Sequence, residues 1–175
     1  KSMVLSEPVK IDAKISSVRD EVKIDRLKVD SSFCKIDCTG GMDVVDYKAD
    51  IDLKGLQDFA GQFSDFGGYD LAGKLLADGK VTLGDTVKAV GDYEISNFVV
   101  GNRKNKTTAS FAKIAVNGGV VIDKKNDTIG FESFRLSSDP ATLQISGSTS
   151  KSGGGNSTIK AKGTLDLGKL QPLLV

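Results

Sequence analysis

Residue types that usually carry catalysis are thinly represented in this chain. It has no histidine, so the commonest general base and the Ser–His and Cys–His nucleophile pairs are absent. Asp50 and Asp52 sit two apart on a strand-like stretch, with Asp43 upstream. Side chains at i and i+2 share one strand face, and paired carboxylates bind Ca²⁺ or act as acid and base. The same spacing, opposite Ile51 and Leu53, also reads as the solvated side of an amphipathic strand. Gly73 to Val81 suggests a phosphate loop, but five residues separate its glycines where four are required. Val81 also stands where Ser or Thr would bind Mg²⁺. No metal set or cofactor motif emerges, and the expectation is a non-enzymatic chain.

The two cysteines, Cys34 and Cys38, fall on one face of a strand. Four residues of extended chain span about 13 Å, beyond the roughly 4.4–6.8 Å Cα separation of a disulfide. They read as two small apolar residues that do not bridge each other. A metal pair is the sharper reading, with no His and no third Cys to complete it. Three triplets, at Asn105, Asn126 and Asn156, fit the glycosylation pattern and fall at expected turns. Gly153–Gly154–Gly155 reads as a flexible hairpin tip.

The elements that must position any site are strands. The 175 residues carry a formal charge of +1, with 24 basic and 23 acidic side chains interspersed rather than blocked. This reads as solvated strand faces and gives no pull toward nucleic acid. No stretch approaches the roughly 18–20 apolar residues of a membrane span, and no signal peptide is visible. The chain opens inside a strand-like pattern and stops inside a helix-like one, so it reads as an excerpt of a longer protein.

Alternation of period two recurs between short turns, predicting about ten to twelve strands. One strand is expected to run from Asp70 to Ala77, a turn to fall at Asp78–Gly79, and a strand to follow over Lys80 to Leu83. Thr107 to Val116 and Val120 to Asp123 flank Asn117–Gly118–Gly119, either a bulge or a turn. Helical spacing predicts a helix from Lys54 to Phe66, stopped by Gly67–Gly68, and a terminal helix from Gly168. Two short helices cannot cover so many strands. The sheet must curl on itself, pair with a second sheet, or leave an apolar face open, and a large open apolar face usually marks a binding surface.

Two internal matches organise the chain. Tyr47 to Phe59 returns as Ala161 to Leu173, with Lys, Asp, Leu, Leu and Gln recurring at 48/162, 52/166, 53/167, 56/170 and 57/171. Asp20 to Gly40 aligns with Asp127 to Gly147 at an offset of 107, and apolar positions coincide. In both copies the alternation slips by one residue, between Ile24 and Leu27 and between Phe131 and Phe134. A slip turns the following side chains to the other face unless a bulge absorbs it, and its recurrence implies a built-in bend. The chain then divides into unit one (1–66), connecting strands (67–109) and unit two (110–175). The expected fold is mainly β: a curled antiparallel meander forming an extended groove or elongated sandwich, with two short helices, built from two repeats.

A strand ending in alternating Asp and Leu, then a short helix with Leu-x-x-Leu spacing, resembles the repeat unit of the AsmA-like and TamB-like proteins of bacterial envelopes. Asp50 to Leu56 and Thr164 to Leu174 carry the resemblance, with Asp70 to Leu75 and Gly91 to Val100 as similar strands. It implies a long β-groove with an apolar interior, a periplasmic place, and an inner-membrane anchor in the full-length protein. It further implies a part in phospholipid transport or outer-membrane assembly, with neighbouring repeats of the same protein as partners. Acyl chains in such a groove leave water at ~0.8 kcal/mol per buried CH₂, with no base or metal needed. The lining candidates are Val22, Ile24, Leu27, Val29, Cys34, Ile36 and Cys38, with Ile129, Phe131, Phe134, Leu136, Leu143 and Ile145. The residues before and after each slip need not share a face, and each candidate could instead belong to a closed core. The alternative function is a β-sandwich or solenoid interaction segment of a surface or adhesion protein, with no lipid role.

Overall fold

The computed structural model describes residues 8–18, 21–41, 43–64, 68–104, 106–150 and 157–170. Strands β1 (Lys10–Val18), β2 (Glu21–Asp30), β3 (Cys34–Gly41) and β4 (Val44–Asp52) lead into helix α1 (Leu53–Ala60). Then β5 (Tyr69–Thr82), β6 (Thr86–Asn102), β7 (Thr107–Asp123), β8 (Thr128–Ser138), β9 (Ala141–Ser150) and β10 (Thr158–Leu165) lead into α2 (Leu167–Leu170). Every strand pairs antiparallel with the next, giving one ten-stranded sheet in chain order. The fold is therefore mainly β, an antiparallel meander. The first and last strands do not meet, so the sheet is open, and no second sheet packs on it among the described residues. Of the three ways to treat the apolar face, the chain leaves it open.

Cross-strand register shows how complete the separation of faces is. One row of paired residues crosses all ten strands as Ile11, Val29, Ile36, Ala49, Ala77, Tyr93, Val116, Leu136, Leu143 and Gly163. The adjacent row reads Asp12, Lys28, Asp37, Lys48, Asp78, Asp92, Asn117, Arg135, Gln144 and Lys162. A shift of one residue exchanges an apolar face for a polar one, which is what period-two alternation demands. Cross-strand ion pairs lace the polar side: Lys28–Asp37 at 2.9 Å, Lys48–Asp78 at 2.8 Å, Lys74–Asp50 at 3.0 Å and Lys113–Glu94 at 2.6 Å. Each is solvent-exposed and stabilises by only ~0–1 kcal/mol. Their larger effect is on register, since a slip would set like charges opposite each other.

The repeated slip in the alternation is a bulge. Ile24 pairs with Gly40 and Leu27 with Cys38, so Asp25 and Arg26 together face Thr39. Phe131 pairs with Gly147 and Phe134 with Ile145, so Glu132 and Ser133 together face Ser146. The residues on either side of each bulge thus stay on one face. Other contacts recur between the two matching blocks. Ser31 Oγ donates to the Cys34 carbonyl at 3.3 Å, and Ser138 Oγ to the Ala141 carbonyl at 3.2 Å. Asp52 N–H donates to the Phe33 carbonyl at 2.8 Å, and Asp166 N–H to the Pro140 carbonyl at 2.7 Å. Gly40 and Gly147 both have positive φ, 152° and 117°. A side chain there would collide with the backbone of Val44 or Thr158.

Two expectations are corrected and one alternative is decided. The first helix starts at Leu53 and ends at Ala60, not at Phe66. Asp52 caps it, accepting from Lys54 and Gly55 N–H. At the other end the Gln62 N–H bonds back to Phe59 and Phe63 N–H to Ala60, tightening the chain into turns. Phe66 and Gly67 lie outside the described residues; Gly68, the second glycine of the expected stop, has a φ of 83°. Second, no turn interrupts Asp78–Gly79. β5 is a central strand paired on both sides through these residues, and Gly79 gives up its side-chain space to Tyr47. The choice left open at Asn117–Gly118–Gly119 falls to the bulge: β7 runs unbroken through it, with a register shift there. The terminal helix spans Leu167–Leu170; Gln171, Pro172 and Leu173 lie outside the described residues, as does the Gly153–Gly155 tip.

The sheet's main buried apolar anchor sits at one end. Phe33, 8 % exposed, packs beneath α1. Its ring lies 4.9 Å from that of Phe59, which in turn meets Phe63 at 5.6 Å. Gln57, buried, donates to the Tyr69 carbonyl at 2.5 Å and accepts from Leu71 N–H at 2.6 Å. That pair of bonds supplies partners to the end of β5 and fastens the helix to it. Among the described residues no helix is long and apolar enough to cross a membrane.

Candidate functional site: the open apolar face

The apolar face is built from strand alternation plus bulges that prevent it from inverting. Of the groove candidates, Ile24, Leu27 and Val29 lie on β2, Cys34, Ile36 and Cys38 on β3, Ile129, Phe131, Phe134 and Leu136 on β8, and Leu143 and Ile145 on β9. All of these are half-buried and share the apolar face through the register. Val22 is on β2 opposite Ser17; its side chain lies outside the described residues. The candidates form two groups, separated by β4 to β7. Sequence reasoning missed the centre that joins them. There Ala49, Ala77, Tyr93 and Val116 continue one row, and Ile51, Leu75, Ile95 and Ile114 the next. The alternation of Ala49 with Ile51 and of Tyr93 with Ile95 was the available signal.

The face is smooth over its middle. Tyr47 on β4 reaches across Gly79 of β5, and its hydroxyl hydrogen-bonds to that of Tyr93 on β6 above Gly91. A Cβ at Gly79 would lie 2.5 Å from the Tyr47 hydroxyl and 2.6 Å from its Cζ, so only glycine lets the ring lie flat there. Burial pushes the Tyr47 phenol well above its usual range, aided by the bond to Tyr93 and by the negative charge of Asp78. The phenol therefore stays protonated and neutral. One hydroxyl of the pair donates to the other, which leaves one O–H able to donate to a bound group.

The thiols fit the same picture. Cys34 and Cys38 are free. Burial raises both, with Asp50 adding to the shift at Cys34 and Asp37 at Cys38. A neutral thiol on an apolar face is a poor nucleophile and a weak metal ligand. The two act as small apolar side chains.

The remaining motifs are taken up by structure. Asp50 is paired to Lys74 at 3.0 Å and Asp52 caps α1, so the carboxylate pair is divided between two tasks. No group of three or more metal-ligating side chains forms among the described residues. The segment Gly73–Val81 lies within β5, where extended backbone cannot cradle a phosphate. Asn126 sits in the β7–β8 turn, donating to Asp123 at 2.7 Å; Asn105 and Asn156 lie outside the described residues. A depression of about 690 Å³ occupies the charged face, walled by Lys35, Asp37, Lys48, Asp78 and Glu94 around Leu76 and Ala115. None of the groove candidates lines it.

Nine inter-strand gaps of about 4.8 Å make the sheet roughly 43 Å wide. With strands eight or more residues long, the apolar face covers on the order of 1,000 Å², above the few hundred Å² usual for a patch on a soluble monomer. Nothing among the described residues covers it. The chain matches no protein-family model, no curated protein and no solved structure.

Proposed function

We propose that the chain is a non-enzymatic lipid-handling module whose open apolar face takes phospholipid acyl chains, and that it works in a bacterial envelope. The observation that carries the reading is the ten-residue apolar row from Ile11 to Gly163, backed on the other side by an equally long polar row. A sheet so divided is stable in water on one side only. An acyl chain laid across the strands would remove up to ~0.8 kcal/mol of unfavourable hydration per methylene, so a half-covered sixteen-carbon chain gains roughly 6 kcal/mol before ordering costs. The Tyr47–Tyr93 pair offers one donor for a lipid ester or headgroup oxygen. The envelope location and periplasmic side rest on the resemblance of Asp50–Leu56 and Thr164–Leu174 to the AsmA-like and TamB-like repeat, as does a contribution to outer-membrane assembly.

The test is binding of dansyl-undecanoic acid, followed by fluorescence enhancement. The reading expects micromolar binding. Val116→Asp, shown by far-UV circular dichroism to keep its sheet, should weaken it about tenfold, because a carboxylate in an acyl contact must be desolvated. Asp92→Ala on the opposite face should leave it unchanged. No enhancement with the native chain, or equal losses from both variants, would overturn the reading. An interaction segment of a surface protein, without lipid, is then the account that stands.

A further inference from the structure

The hydroxyl pair in the middle of the apolar face has a proton to spare. Cys38, Tyr47, Gly79, Gly91 and Gly118 stand opposite one another in turn across β3 to β7. Tyr47 lays its ring over Gly79, and its hydroxyl meets that of Tyr93 above Gly91. Two hydroxyls carry two protons, and the bond between the rings uses one. The other has no acceptor among the described residues. Gly91 and Gly118, the next two positions of the row, put no side chain over the sheet, so there is room beside the hydroxyls. A Cβ at Gly91 would already lie 3.0 Å from the Tyr47 hydroxyl and 3.1 Å from that of Tyr93.

We propose that this pair holds the uncharged carbonyl of an ester-linked acyl chain, so that the apolar face selects esters over free fatty acids. The inference rests on the lipid reading above and adds to it the chemical class of the ligand and the atom by which it is held. Two observations set the class. One free O–H offers one bond, which suits a single acceptor and not a headgroup that needs several. The rows that flank the pair, Ala77 to Val116 and Val81 to Val120, hold no charged residue. The nearby Lys48 and Lys80 belong to the other face, where Asp78 and Asp46 neutralise them at 2.8 and 3.3 Å. A carboxylate or phosphate brought to the hydroxyls would lose its water with no cation to replace it, a cost that one hydrogen bond does not offset. An ester carbonyl loses far less, and the bond from the tyrosine offsets it.

The pair is redundant by construction. Either hydroxyl can donate to the other, so either can be the one that donates outward. With one ring replaced by Phe, the remaining hydroxyl is released from its partner and still has a proton for the carbonyl. Only loss of both removes the donor. Burial also keeps the Tyr47 phenol protonated, so the pair stays a donor and does not confront the carbonyl as a phenolate.

The probe is the methyl ester of dansyl-undecanoic acid, which differs from the acid only at its carboxyl end. Binding of both is followed by dansyl fluorescence, and an isotopic label in the ester carbonyl is followed by difference infrared spectroscopy. On the native chain the carbonyl stretch should lie at the lower wavenumber of a hydrogen-bonded ester. Tyr47→Phe and Tyr93→Phe should each keep that position and bind the ester nearly as the native chain does. The double variant Y47F/Y93F, shown by circular dichroism to keep its sheet, should move the stretch to that of a free ester. It should bind the ester about fivefold more weakly, the size of one lost hydrogen bond, and bind the acid as the native chain does. If both probes bind the native chain but the stretch there is that of a free ester, this proposal is overturned and the lipid reading stands. The same holds if the double variant loses ester and acid equally, or loses neither. If neither probe binds the native chain, the lipid reading falls and this inference with it.

Discussion

Gly55 and Phe33 make a prediction whose size depends on the background. Phe33 is 8 % exposed, and truncating a buried Phe to Ala costs ~3–5 kcal/mol. Phe59 and the half-exposed Phe63 can close part of the cavity, so Phe33→Ala should fall near the lower limit, about 3 kcal/mol. A Cβ added at Gly55 would lie 2.6 Å from the Phe33 Cβ, a clash against a fixed atom that overpacking data place at ~1–3 kcal/mol. Yet Gly55 is inside α1, where Ala is favoured over Gly by about 1 kcal/mol. Gly55→Ala should therefore destabilise the native chain by ~0.5–2 kcal/mol. In the Phe33→Ala chain the Cβ that it meets remains, but the opened cavity lets that segment give way, so Gly55→Ala should destabilise by less, about 0–1 kcal/mol. The assay is urea unfolding by circular dichroism of the four members of the cycle, with midpoints compared at equal slope. If Gly55→Ala has the same sign and size in both backgrounds, Phe33 does not pack on the helix as described.

Asp52→Ala should cost about 1 kcal/mol of α1 stability, since two N–H groups lose their acceptor, and hydrogen exchange should place the loss in residues 54–60. Ser133 holds φ 50° in its bulge, so Ser133→Gly should raise stability by ~0.5–1 kcal/mol in thermal unfolding, provided the bulge persists. Tyr47 should make the chain alkali-sensitive. Its folded-state pKa lies above the unfolded value of about 10, so its contribution is complete below pH 10 and is lost as pH rises beyond that. Tyr47→Phe should flatten the fall in stability above pH 10 relative to the native chain, and an unchanged slope in urea unfolding would contradict the hydroxyl pair.

Much of the sheet was legible because period-two alternation is a direct image of a two-faced strand. The slips at Ile24–Leu27 and Phe131–Phe134 were visible for the same reason. Which face followed each slip was not visible, since that depends on whether the neighbouring strand absorbs the extra residue, a tertiary fact. Asp78–Gly79 carried a turn's local chemistry, but Tyr47, thirty-odd positions away, needed glycine beneath it. The first helix was drawn too long because Phe63 keeps helical spacing after the backbone has turned out of the helix. The centre of the apolar face was missed because Ala49 and Ala77 are too small to stand out in a hydropathy pattern. They matter only where large side chains from both flanks converge over them.

The account turns on which face of the sheet meets hydrocarbon. In the amide spectrum of the chain with detergent-free phospholipid vesicles carrying a doxyl label deep in the acyl chain, relaxation enhancement reads proximity directly. It should fall on β3 to β8 residues of the apolar row, including Ile36, Ala77, Val116 and Leu136, and spare Asp37, Asp78 and Asn117 one position away. Enhancement spread evenly over both rows, or confined to the charged row, would contradict it.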